Sequence, residues 1–118
     1  MPMIRTGYLL LTFALLSFSA LAQKQYTIAE IQGDKNVSPH VRESVSVTGI
    51  VTARTKTGFF LQTPDDKTDG NPATSEGIFV FTRTAPPADI ALGASVTLSG
   101  EVQEYRNRQD ANSLSTTE

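Results

Sequence analysis

One stretch, Ser44 to Gln62 (SVSVTGIVTARTKTGFFLQ), constrains the fold of this chain more than any other. Val45, Val47, Val51 and Ala53 fall at alternate positions, with Gly49 breaking the row. Ser46, Thr48, Thr52 and Arg54 take the other face. A period of two in β-branched residues predicts a strand rather than a helix. Lys56-Thr57-Gly58 reads as the turn into a second strand, Phe59 to Thr63, which ends at Pro64 because proline has no N–H for the ladder. A mid-strand glycine leaves no side chain to pack, so Gly49 is expected to mark a bulge or sharp coil that bends the first strand.

The remainder extends the pattern. Asp65 to Glu76 (DDKTDGNPATSE) is a turn-rich loop, and Gly77 to Phe81 (GIFVF) is a third strand. Thr82 to Gly93 is a connector with room for one helical turn. Ala94 to Tyr105 is a fourth strand, with Val96, Leu98, Gly100 and Val102 on one face and Gly100 in the part Gly49 plays in the first. Upstream, Thr27 and Glu30 have capping-box spacing for a short helical turn that buries Ile28 and Ile31. The fold class expected is all-β: a small OB-like Greek-key barrel with four strands evident. The alternative is an open four-stranded sheet. A barrel of this kind needs a fifth strand, for which Leu114 supplies only a first apolar residue, so the barrel reads as cut off at its C-terminus.

Residues 1–22 read as a secretory signal peptide. Arg5 precedes the apolar run Tyr8 to Phe18, and Ala20-Leu21-Ala22 offers a cleavage site before Gln23. The run is too short for a membrane span followed by a soluble domain. The expected organisation is signal peptide 1–22, lead-in segment 23–43 and barrel 44–118. The expected location is extracellular or periplasmic, free of the membrane after cleavage. The chain has no cysteine, so a secreted domain must rest on its core alone, and thiol nucleophiles and thiolate metal sites are excluded. Without Arg5, nine Lys/Arg face twelve Asp/Glu, a net charge near −3. Contact with nucleic acid would therefore need a local basic patch.

The segments Ile28–Gly33 (IAEIQG), Ser38–Ala53, GFFLQTPD (Gly58–Asp65), NPATSEGIFVF (Asn71–Phe81) and LGASVTLSGEVQEY (Leu92–Tyr105) form a series. Together they resemble the OB-like module near the N-terminus of bacterial extracellular nucleases. The resemblance covers nearly all of the chain after residue 22. It implies a downstream domain of the endonuclease/exonuclease/phosphatase type, which would cut DNA with a divalent metal, Mg or Ca, and would partner this module in cis. The catalytic set of acidic ligands with His and Asn would lie beyond Glu118. The chain itself has one histidine, His40, in a loop, and is not expected to be catalytic.

The residues offer three candidate chemistries. The first is binding of single-stranded DNA on the face of the second and third strands. Phe59 or Phe60, and Phe79 or Phe81, would point outward to stack on bases. Arg54, Lys56, Arg83, Arg106 and Arg108, with Tyr105, would supply charge and a further ring. The competing reading buries these rings and makes the module a scaffold that packs on a catalytic domain or another protein. The second candidate is calcium. Asp65, Asp69, Gly70, Asn71 and Glu76 occupy positions one, five, six, seven and twelve of a calcium-loop pattern, with Lys67 where a ligand should stand. That cation, and flanking strands instead of helices, favour a plain connection. The third is hydrolysis by Asp65, Asp66, Asp69 and His40, which a flexible loop does not fix in place.

Overall fold

The long alternating strand takes more pairing partners than any other strand among the described residues. A computed structural model of the chain describes residues 23–118, so the leader reading of residues 1–22 lies outside the described residues. The elements are β1 (Lys24–Gln25), α1 (Ile28–Gln32), β2 (Ser44–Arg54), β3 (Gly58–Gln62), β4 (Gly77–Phe81), β5 (Ser95–Glu101), β6 (Glu104–Tyr105) and β7 (Thr116–Thr117). A 3₁₀ turn covers Asp65–Lys67. One sheet has the order β1-β2-β3-β4 with β5 on the other edge of β2, and β6 and β7 form a separate two-stranded ladder. The described chain is mostly strand with little helix, and no closed barrel forms among the described residues.

Each half of β2 has its own partners. Ser44 to Ile50 pairs antiparallel with Glu101 to Ser95, while Ile50 to Arg54 pairs with Gln62 to Phe59. On its other edge, Val45 and Ser46 take the parallel β1. The handover falls at Gly49 and Ile50, where the backbone is crowded. A Cβ on Gly49 would lie 3.1 Å from Leu61 Cβ and 3.2 Å from Ile28 Cδ1. The glycine thus permits close approach and is not itself the bulge. The register shift lies between Val51 and Ala53 instead. Gly100 does not repeat that role, since nothing stands within 4 Å of a Cβ built on it.

Directly opposed residues share a face of the sheet, and this assigns inside and outside. Val45, Val47, Val51, Phe59, Leu61, Ile78 and Val102 are buried, with Ile28 and Ile31 of α1 closing the same core. Thr48 and Thr97 face outward and join their hydroxyls at 2.8 Å. The capping box of α1 forms as its spacing predicts: Glu30 N–H donates to Thr27 Oγ1 at 3.1 Å, and Thr27 N–H to Glu30 Oε2 at 2.8 Å. The predicted fourth strand is broken at Val102–Gln103 into β5 and β6, and the connector before it forms turns but no helix.

Glu104 fastens the lead-in segment to the C-terminal ladder. Its Oε1 accepts from the Ser38 N–H at 2.7 Å and the Thr117 hydroxyl at 2.6 Å. Burial acts to raise this carboxyl, but the bonds from Ser38, Thr117 and Ser115 outweigh it and hold the group below its ordinary value. A depressed carboxylate stabilises the fold above the ordinary glutamate value, about pH 4.3, and the contribution is lost as pH falls through the lower folded value. Burial shifts the Glu118 carboxyl up, so it acts the other way and weakens the fold as pH rises above the ordinary value. The urea midpoint is therefore expected to drop on acidification below about pH 4. Glu104→Gln should flatten that drop and lower the midpoint at neutral pH by about 1 kcal/mol-equivalent.

Candidate nucleic-acid interface

The β3–β4 hairpin determines which aromatic rings reach the surface. Phe59 lies opposite Val80, and Phe60 opposite Phe79. Phe59 is 3 % exposed and belongs to the core, so it is not a surface candidate. Phe60 is 42 % exposed and Phe81 50 %. Phe79 and Phe81 are two residues apart and therefore share the outer face; they are not alternatives to one another. The Phe60 and Phe79 rings meet at 4.9 Å between centroids, tilted by 53°. The Phe79 ring lies over Gly58, where a Cβ would stand 2.6 Å from its Cζ. Three phenylalanines thus form one outward aromatic strip.

Two of the predicted cations stand at one end of that strip. The turn holding Lys56 meets the segment after β4 through the Thr82 N–H, which donates to the Thr57 carbonyl at 2.8 Å. Lys56 precedes that turn residue and Arg83 follows Thr82, both exposed. Arg83 adopts a left-handed backbone, φ 66°.

Arg54 is engaged elsewhere. The shift after Val51 makes Thr52 an extra residue, so that Ala53 opposes Phe60 on the outer face and Arg54 opposes Phe59 on the inner one. Its guanidinium then donates to the carbonyls of Pro86 at 2.6 Å, Pro87 at 2.8 Å and Ile90. It ties down the connector and has few donors left for a phosphate. Tyr105 at the end of β6, and Arg106 and Arg108 on the β6–β7 loop, are exposed. This loop leaves the sheet beside Glu43, which bonds Val102, at the opposite end of β2 from Lys56. The structure therefore brings together Phe60, Phe79, Phe81, Lys56 and Arg83, while Tyr105, Arg106 and Arg108 stand apart.

In the acidic loop after β3, Asp69 and one oxygen of Glu76 are bonded within the loop, while Glu76 Oε2 is buried without a partner. Asp69 Oδ1 accepts from the Asn71 N–H at 2.8 Å, and its Oδ2 from the Thr74 hydroxyl at 2.7 Å. Glu76 Oε1 accepts from the Asp69 N–H at 3.0 Å. The Thr74 hydroxyl and the Asn71 amide hold the Asp69 carboxyl below its ordinary value. Asp65 sits in the 3₁₀ turn, apart from these bonds. Among the described residues no three His, Asp or Glu side chains group as a metal would require. His40 stacks on Tyr26, centroids 4.1 Å apart, and its Nδ1 lies 2.7 Å from Glu43 Oε2. These are fastenings of the lead-in segment.

Among the described residues no helix is long and apolar enough to cross a membrane. The chain matches no protein-family model, and no curated protein or solved structure is significantly similar to it.

Proposed function

We propose that the chain is an OB-like module that binds single-stranded DNA through the outer face of β3 and β4, and that it positions DNA for a metal-dependent nuclease domain. One observation carries the reading: the strip of exposed Phe60 and Phe81 with the half-buried Phe79, and Lys56 and Arg83 at its end. Flat rings stack on bases of any sequence, and flanking cations follow the phosphates. The β2–β3–β4 meander with β5 returning to β2 supports an OB-like arrangement. The nuclease parent is supported by the sequence blocks Gly58–Asp65 and Asn71–Phe81. Secretion rests on the leader pattern of residues 1–22.

The test is a salt titration of labelled oligothymidylate against the chain. Binding is expected at low salt and should fall steeply as salt rises, because charge neutralisation releases counterions. Phe60→Ala and Phe81→Ala are each expected to weaken binding by about 1–3 kcal/mol. Arg106→Ala should change little. Absence of binding at low salt by the folded chain, or equal binding by both Phe variants, overturns the reading.

A further inference from the structure

An apolar hollow lies between β4 and β5 and shares Phe79 and Phe81 with the aromatic strip. It measures 640 Å³. The buried Val45, Val47, Phe59 and Val102 and the half-buried Val80 and Leu98 form its apolar floor. Among the described residues, β4 on one side pairs with β3 alone, and β5 on the other pairs with β2 alone. Two strands thus turn unpaired edges toward one apolar cleft. Such edges are templates for another strand, and the half-buried Val80, Ile90 and Leu98 leave apolar surface facing the space between them.

We infer that this cleft is a strand-acceptor site, whose occupant is an extended segment of a partner polypeptide carrying apolar residues at alternate positions and cationic ends. Three observations select that occupant. Main-chain donors and acceptors are offered from two sides, which suits an inserted strand and not a compact ligand. The floor is apolar, and an inserted strand turns every second side chain toward it. The rim holds Asp89, Glu101 and Glu118 against Arg83 alone, an excess of acid that a cationic segment complements. The β6–β7 ladder shows the direction of entry. Gln103 and Glu118 exchange both backbone bonds, at 2.8 and 2.9 Å, so this line of strand already accepts an antiparallel neighbour at the mouth of the cleft. The inference goes beyond the nucleic-acid reading and stands without it.

Gly100 supplies the discriminating variant. It lines the cleft, opposes the inward Val45, and has open space around a built Cβ. Gly100→Phe therefore fills the cleft without striking the fold. The experiment follows the anisotropy of a labelled KVTVTVTVK peptide titrated with the full chain, with amide exchange of Ile78–Phe81 and Leu98–Gly100 measured in parallel. Saturable binding with new amide protection on both edges is expected. A peptide with proline at its central position should bind about tenfold more weakly, since it loses ladder donors. Gly100→Phe should weaken binding by a similar factor while its thermal midpoint stays at or above that of the parent. Equal binding by Gly100→Phe or by the proline peptide, or no binding, overturns the proposal. A chain that is dimeric and becomes monomeric on Gly100→Phe also overturns it, and assigns the cleft to a second copy.

Discussion

Gly58→Ala is expected to lower stability by about 3 kcal/mol and to move the urea midpoint down by about 2–3 M. A methyl group at this position runs into the Val80 carbonyl and stands 2.6 Å from Phe79 Cζ. One neighbour is the backbone of a paired strand, and the other is a ring wedged against Phe60. Neither gives way without loosening the ladder, and overpacking of this kind ordinarily costs about 1–3 kcal/mol. The carbonyl places Gly58 at the upper end. Any molecules that fold should also bind oligothymidylate less well, because the Phe79 ring has been pushed off its seat. An unchanged midpoint would mean that the ring does not lie on Gly58.

Arg54→Ala is the second large effect. The three carbonyls it serves, on Pro86, Pro87 and Ile90, belong to a connector with little other regular bonding. Pro86 is buried, so its carbonyl has little water to turn to. Bonds from a charged donor contribute about 1.5–3 kcal/mol, discounted here because the arginine is partly exposed. A loss of about 2 kcal/mol corresponds to a fall of roughly 10–15 °C in the thermal midpoint. Arg54→Lys should recover only part of this, because a single ammonium does not reproduce the planar fork that reaches three acceptors. DNA affinity, measured well below the midpoint, is expected to be unchanged. A large loss of affinity with an unaltered midpoint would return Arg54 to the interface.

The two variants mark where sequence alone stops. The bounds of β2 were legible because Ser44 to Val51 alternates, and those of β4 because GIFVF is an apolar run of strand formers between a turn-rich loop and the connector. The two-residue strands β1 and β7 carry no period and were not legible. The face of Arg54 was misjudged for a sharper reason. Counted by twos from Val45, it falls outside with Thr48 and Thr52, but the extra residue at Thr52 reverses every side chain beyond it. Nothing in the string VTAR announces that slip. Gly49 and Gly100 look alike in the sequence, yet one is pressed by Leu61 and Ile28 while the other borders open space. That difference depends on partners from other elements of the fold, α1 and β3. The aromatic strip was partly legible, because Phe59 and Phe60 had to part company. Which of the two faced out depended on the register against Val80 and Phe79.

The division of β2 between two sets of partners also bears on how the chain acquires its shape. Three residues separate Arg54 from the start of β3 and fourteen separate β3 from β4, so the β2–β3–β4 meander closes through connections that are local in sequence. The first half of the same strand waits for Ser95–Glu101, which pairs with it across a separation of more than forty residues. Closure over that distance sacrifices chain entropy before any ladder bond repays it, and such topologies fold in milliseconds to seconds. During that interval Val45 and Val47 belong to an unpaired strand. Mutations in β3 and β4 should thus slow folding, whereas those in β5 should mainly hasten unfolding.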